Sequence, residues 1–276
     1  MLRWDSVFEW GRRASDKPAP APAMSAQDLL LESVIAHEQV DVQYQPWIEP
    51  RTGRVAGVEA LVRCHLTPSA ESLFARAASA RLDERLSRLV QRKALRRAAV
   101  WEGPLKDLCV SLNILGSELS REGYEHWLLD EIATSGIDPA RVTVEITENA
   151  LVDRDAAAPR LEQLRSAGLR IAVDDFGTGY ASLAYLSELP LDLLKIDRGL
   201  VAEIGTSERA RTVVRAVTSL AHELGLKVLV EGIESTAQLA LACEWGCDLY
   251  QGFLSAGALS EDELARFVTA SQVEAA

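Results

Sequence analysis

At 276 residues the chain has room for one large α/β domain or two small ones, and 48% hydrophobic residues provide a substantial core. A formal charge of −12 excludes a broad basic surface for gripping a DNA or RNA polymer. A small phosphate-bearing ligand stays admissible, because bound metals reverse the sign of the charge locally.

Met1 to Arg13 carries Leu2, Trp4, Val7, Phe8 and Trp10 among charges, and Ser15 to Ser25 is a Pro/Ala-rich linker. Residues 1–25 are thus set apart from a domain over 26–276. The aromatic start is either a docking peptide for a protein partner or membrane surface, or a segment that packs on its own domain or stays disordered. From Ala26 the pattern becomes regular. Ala26 to Glu38 reads as a helix, Val40 to Pro46 as a strand, Pro50 to Gly53 as a turn and Arg54 to Arg63 as a second strand. So short a connection makes the two strands antiparallel neighbours. Strands and helices then alternate, with strands over Leu108–Asn113, Val142–Ile146, Leu169–Asp174, Leu193–Ile196, Lys227–Val230 and Leu249–Gly252. Ser207 to Leu224 has an apolar face and a stop at Gly225. Ser235–Gln238 and Ser260–Glu263 read as capping boxes, and Gly136, Gly168, Gly225 and Gly246 fall where helices hand back to strands.

Eight strands with interleaved helices over about 250 residues fit a TIM-type (β/α)8 barrel with an antiparallel first strand. An open doubly wound sheet fits less well, because its Gly-rich dinucleotide fingerprint is missing. No apolar run reaches about 18 residues, so no transmembrane segment is expected, and no signal-peptide pattern stands at the start. Cys64, Cys109, Cys243 and Cys247 lack paired zinc spacing. They read as small core residues in a reducing cytoplasm.

The polar residues near the strand ends carry the chemistry. Glu59 lies on the second strand, Asn113 ends the third and Glu145 the fourth. Asp174 and Asp175 end the fifth, Lys195 the sixth, Glu231 the seventh and Gln251 the eighth. A barrel turns all of these ends to one mouth. Adjacent strand residues point to opposite faces, so Asp174 and Asp175 can converge only where the strand gives way to loop. Carboxylates gathered at buried strand ends need a compensating positive charge. These carboxylates and an amide, all oxygen donors, suit two hard divalent cations, Mg2+ or Mn2+, with one bridging carboxylate. Such a pair activates water for phosphoester hydrolysis, and a lysine beside it holds the attacking water or the charged transition state.

At these residues the sequence resembles the EAL-domain family of cyclic di-GMP phosphodiesterases. The matches are Tyr44-Gln45-Pro46, Glu59-Ala60-Leu61 within Glu-x-Leu-x-Arg63, Asn113, Glu145-Ile-Thr-Glu148, Asp174-Asp-Phe-Gly-Thr-Gly-Tyr180, Leu194-Lys195-Ile-Asp197, Glu231-Gly-Ile-Glu234 and Gln251-Gly-Phe. They run in order from Val40 to Val268. The resemblance implies that Glu59, Asn113, Glu145, Asp174, Asp175 and Glu231 hold the metals, with Asp174 bridging. It implies that Lys195, Glu231 and Glu59 act in catalysis. It further implies that Gln45, Leu61, Arg63 and Gln251 meet the substrate, and that Glu148 steadies the loop linking the metals to a homodimer interface. An acidic helix start is the plainer account of Glu148 alone. The implied reaction cleaves one phosphodiester of cyclic di-GMP to give linear pGpG.

The chain departs from the family at Cys64-His65-Leu66-Thr67-Pro68, where a Trp and a His-Pro loop are usual. It departs again at Asn113-Ile-Leu115, in place of Asn-x-Ser, and at Ser255-Ala256-Gly257-Ala258. None of these removes a metal ligand. A cyclic di-GMP receptor without turnover, or an interaction scaffold, is the alternative expectation.

Overall fold

A computed structural model describes residues 28–151, 154–178 and 184–274. Segment 1–25, and Gly179 and Tyr180 of the Asp-Asp-Phe-Gly-Thr-Gly-Tyr motif, lie outside the described residues.

Eight strands close into a barrel in sequence order. They are β1 (Asp41–Ile48), β2 (Val55–Arg63), β3 (Cys109–Ile114), β4 (Val142–Thr147), β5 (Arg170–Phe176), β6 (Leu193–Ile196), β7 (Lys227–Val230) and β8 (Leu249–Tyr250). Each pair from β2 to β8 is parallel, while β1 runs antiparallel to both β2 and β8. The hairpin expected from the Pro50–Gly53 turn is therefore the irregular corner of a TIM-type barrel. The helices are α1 (Leu29–Ala36), α2 (Ala70–Ser79), α3 (Asp83–Ala99), α4 (Gly116–Ser120), α5 (Tyr124–Ser135), α6 (Arg154–Ser166), α7 (Ala184–Glu188), α8 (Arg198–Ala202), α9 (Glu208–Glu223), α10 (Thr236–Glu244) and α11 (Glu261–Glu274). The helix expected over Ala26–Glu38 is shorter: Asp28 caps it by accepting the Leu31 N–H, and Glu38 turns to a positive φ of 54°.

Period two on each strand sends one set of side chains to the helices and the other into the barrel. The outward set, with Val58, Val110, Leu112, Val144, Ile171, Val173, Leu194 and Val228, packs against the helices in one continuous core. A second cluster sits under α1, α2 and α3 around Leu31, Leu73, Leu86 and Leu89. Inside the barrel, Trp47, Ala172, Leu193, Leu229 and Leu249 form an apolar layer with Ala56. Below that layer, at the N-terminal mouth of the parallel strands, is a cavity of about 650 Å3 bordered by Trp47, Leu193, Arg170 and Lys227. The acids lie at the other mouth.

Among the described residues, no helix is long and apolar enough to cross a membrane. All four cysteines are free thiols.

Candidate metal centre

The register places the site. Gln45 on β1 stands opposite Glu59 on β2, Asn113 on β3 beside Glu145 on β4, and Thr147 on β4 beside Asp174 on β5. Lys195 projects from β6, while Glu231 and Gln251 directly follow β7 and β8.

Lys195 is the hub. It is completely buried, and its Nζ lies 2.9 Å from oxygens of Glu145, Asp174 and Glu231 and 3.5 Å from Glu59. Burial alone pulls an ammonium toward neutrality. Here the four carboxylates outweigh it and hold the Lys195 proton well above the usual lysine range. The acids respond unequally. Burial pushes Glu231 up to about 8 and Glu145 well above its ordinary value, with Lys195 opposing both. Burial also works against ionised Glu59. It is overcome there by Lys195 and by the amide donors of Gln251 and Asn113, at 2.9 Å and 3.0 Å, so that its carboxyl ends lower than usual.

The acids form two overlapping triads. Glu59, Glu145 and Asp174 bring one oxygen each within 4.8 Å of one another, and so do Asp174, Asp175 and Glu231. Asp174 belongs to both, as a bridging carboxylate must. Glu145 Oε1 is buried without a hydrogen-bond partner, while its Oε2 accepts from Lys195. All-oxygen donors, a shared carboxylate and an orphaned buried oxygen together fit a pair of hard divalent cations.

Asp174 and Asp175 converge by a route that the sequence pattern does not anticipate. The strand does not end at them. It continues to Phe176, and the β5–β6 pairing slips between Val173 and Phe176. Asp175 takes a positive φ of 56° at this bulge. Two neighbouring residues then reach the same side, at the cost of a backbone conformation that L residues seldom adopt. Burial and the charge of Asp174 raise the Asp175 carboxyl. The Asp175 N–H donates to Asp174 Oδ1 at 2.9 Å.

The remaining expected residues divide into two groups. Gln251 reaches the site, giving its amide N–H groups to Glu59 Oε2 and Gln45 Oε1, both at 2.9 Å. Gln45 in turn donates to the Ala256 carbonyl at 3.2 Å, so the unusual Ser255–Ala258 loop folds back over β1. Glu148 accepts the Gly177 N–H at 3.1 Å and is tied to the start of the Asp-Asp-Phe-Gly loop. A φ of +105° at Gly177 is available there at little cost only to glycine. Leu61 and Arg63 sit further along β2 and touch none of the acids through a hydrogen bond. Arg63 instead donates through Nε to Gln43 Oε1 at 2.9 Å and through a terminal nitrogen to the Val62 carbonyl. Nothing in the sequence pattern marks Gln43. It is a diagonal neighbour of Arg63 across the β1–β2 hairpin, and only the register reveals the pairing.

A closed β/α barrel whose mouth gathers carboxylates around a buried lysine offers donors that fit a hard cation. Residues 27–258 match the EAL domain family, and the chain belongs to that family. It is 35% identical over 253 residues to the cyclic di-GMP phosphodiesterase NbdA of Pseudomonas aeruginosa, covering 89% of this chain and 32% of that one. It is 31% identical over 242 residues to the bifunctional diguanylate cyclase/cyclic di-GMP phosphodiesterase MucR of the same organism, covering 85% and 35%. The chain thus spans about a third of the length of these curated relatives. Among solved structures, the PaMucR phosphodiesterase in complex with c-di-GMP superimposes with a TM-score of 0.80 at 31% identity, covering 85% of this chain and 97% of the other. The manganese/cy-diGMP complex of Klebsiella pneumoniae BlrP1 superimposes with a TM-score of 0.73 at 30% identity, covering 80% and 56%.

Proposed function

We propose that the chain is a phosphodiesterase that hydrolyses cyclic di-GMP to linear pGpG in the cytoplasm, using two divalent cations, Mg2+ or Mn2+. One observation carries the proposal: every acid of the two triads is present, with Asp174 common to both and Lys195 between them. A module that only bound the ligand would have no use for burying Glu59, Glu145, Asp174 and Lys195 together. The named activities and bound ligands of the relatives supply the substrate.

Hydrolysis adds water across one P–O3′ bond, with the hydroxyl going to phosphorus and the proton to the departing 3′ oxygen. Bound cations would offset charge on the phosphoryl oxygens and make the attacking water more acidic. Glu59, Asn113, Glu145, Asp174, Asp175 and Glu231 would hold them. Lys195 and Glu231 would orient the attacking water, with the ammonium also facing the charge that builds on the phosphoryl group. Arg63, kept in place by Gln43, would receive a phosphate, and Leu61, Gln45 and Gln251 would border a guanosine. Glu148 would steady the loop that leads toward a second copy in a homodimer, and segment 1–25 would supply a contact for a protein partner.

The test is incubation of the purified chain with cyclic di-GMP and Mg2+ or Mn2+, with pGpG followed chromatographically. Turnover that vanishes in Glu59→Ala and Asp174→Asn, with circular dichroism unchanged, is the expected result. Binding without product under either metal would make the protein a receptor, and absence of binding would make it a scaffold. Either outcome overturns the proposal.

A further inference from the structure

Outside the barrel, behind Asn113, four polar side chains are buried together where a strand–helix interface is ordinarily apolar. Gln91 and Ser87, one turn apart on α3, are each 2% exposed, Tyr124 on α5 is 1% exposed, and Glu118 on α4 is fully buried. The Gln91 amide nitrogen donates to the Asn113 carbonyl and to Ser87 Oγ, both at 2.9 Å, with Glu118 Oε2 at 3.3 Å. Its amide oxygen accepts the Tyr124 hydroxyl at 2.9 Å. Ser87 donates to Glu118 at 2.6 Å, and the same Glu118 oxygen accepts the Leu115 N–H at 3.2 Å. One cluster therefore grips the main chain at the carbonyl of residue 113 and at the amide of residue 115.

The location explains the need. The β2–β3 ladder pairs Gly57 to Glu59 with Cys109 to Ser111 and stops two residues short of Asn113. A crevice of about 230 Å3 opens there, bordered by Leu61, Val62, Phe74 and Leu115. On that side Asn113 has no strand neighbour to fix it, and the Gln91 amide takes that part. Stability alone does not account for the arrangement. Burial of Glu118 pushes its carboxyl above the usual range, and its Oε1 has no hydrogen-bond partner, only the Arg88 guanidinium at 3.8 Å. A well-packed apolar interface would cost less than a buried network with an unmet group.

We infer that Gln91 is a positioning residue for Asn113, clamping the main chain at residues 113–115 so that the Asn113 side chain meets the acids at a fixed angle. Asn113 already gives an amide N–H to Glu59 at 3.0 Å, which leaves its Oδ1 as the atom open to a cation. The inference rests on the acid cluster being a metal centre. Gln91 touches neither cation nor substrate, and its effect passes through the main chain alone.

The experiment is a Mn2+ titration of the full chain, with free Mn2+ read by electron paramagnetic resonance. It compares the parent protein, Gln91→Met, Asn113→Ala and the double variant, with metal-free circular dichroism and thermal unfolding as fold controls. Gln91→Met is expected to weaken Mn2+ binding by about tenfold or more, and to add nothing once Asn113 has been removed. An equal loss in both backgrounds, or no loss in the parent background, overturns the inference. If Asn113→Ala itself leaves Mn2+ affinity unchanged, the metal reading fails and this inference fails with it. If Asn113→Ala weakens binding and Gln91→Met does not, only this inference fails. Should Gln91→Met not fold, Tyr124→Phe takes its place in the same cycle. It deletes one hydroxyl at nearly constant volume and is expected to weaken Mn2+ binding by about threefold, again only while Asn113 is present.

Discussion

Replacing Lys195 by Met tests the electrostatics of the mouth directly, because it removes one charge while keeping most of the side-chain volume. Each 2.9 Å contact from Nζ to Glu145, Asp174 and Glu231 represents about 6 kcal/mol of attraction at an effective dielectric of about 20. Most of that gross attraction is cancelled by repulsion among the acids and by the desolvation of five charged groups. What a mutation reads is the net, and removing one partner from a buried ion pair costs about 3–5 kcal/mol. In a domain of this size each kcal/mol moves the midpoint by about 2–4 °C. The metal-free variant should therefore melt about 6–20 °C below the parent at about pH 8. The pH dependence has a definite sign. Burial raises Glu231 from the ordinary 4.5 to about 8, so its contribution to stability is complete below the unfolded value and is lost as pH climbs through the folded one. Without Lys195 the acids stay protonated to higher pH, and each ionisation costs more. The gap between variant and parent should then be wide at about pH 8 and narrow toward about pH 5. Adding Mn2+ restores positive charge, and should raise the midpoint of the variant more than that of the parent. Differential scanning calorimetry at both pH values, with and without Mn2+, measures all of this. A variant that melts within about 2 °C of the parent at the higher pH, with the same response to Mn2+, would refute the account of Lys195 as the counter-charge of the acids.

Two further substitutions probe how the site is framed. In Gly252→Ala the new Cβ would lie 2.1 Å from the Ile233 carbonyl oxygen and 2.4 Å from its nitrogen. Both are main-chain atoms, so the loops after β7 and β8 must separate. A stability loss of about 3 kcal/mol or more in urea titration is expected, with turnover falling as Gln251 shifts away from Glu59; a loss below about 0.5 kcal/mol would show that the approach is less tight. In Asp28→Ala, α1 loses its N-cap, worth about 1 kcal/mol, along with its solvent-screened contacts to Arg76 on α2. The Arg76 hydrogen bond, then the Leu31 N–H, hold the Asp28 carboxyl down at about 2. The stabilisation is present above the ordinary 3.8 and disappears as pH falls through about 2, so parent and variant should converge in acid unfolding curves.

The fold was readable because a buried strand and an amphipathic helix leave different periodicities, and because Pro50 to Gly53 leaves no room for a crossover between β1 and β2. The acids were readable because charge inside an apolar run has few structural uses, and Glu59, Glu145, Asp174 and Lys195 are indeed gathered within one cluster. Local pattern could not reveal that Asp174 and Asp175 converge through a bulge, since the positive φ at Asp175 falls in the slip of the β5–β6 pairing. Nor could it reveal Gln91. The signal was present, for Gln91 and Ser87 interrupt the buried stripe of α3 between Leu86 and Ala94. Their meaning depends on a carbonyl 22 residues away, and sequence spacing does not measure such a distance.

The apolar layer of Trp47, Ala172, Leu193, Leu229 and Leu249 across the barrel turns the acid-lined mouth into a cul-de-sac. Ions, water and any ligand arrive and depart through the same opening, because an ion crossing such a layer would have to shed its hydration. Departing product and incoming ligand therefore compete for one doorway. Any loop that narrows this opening therefore acts on entry and exit alike.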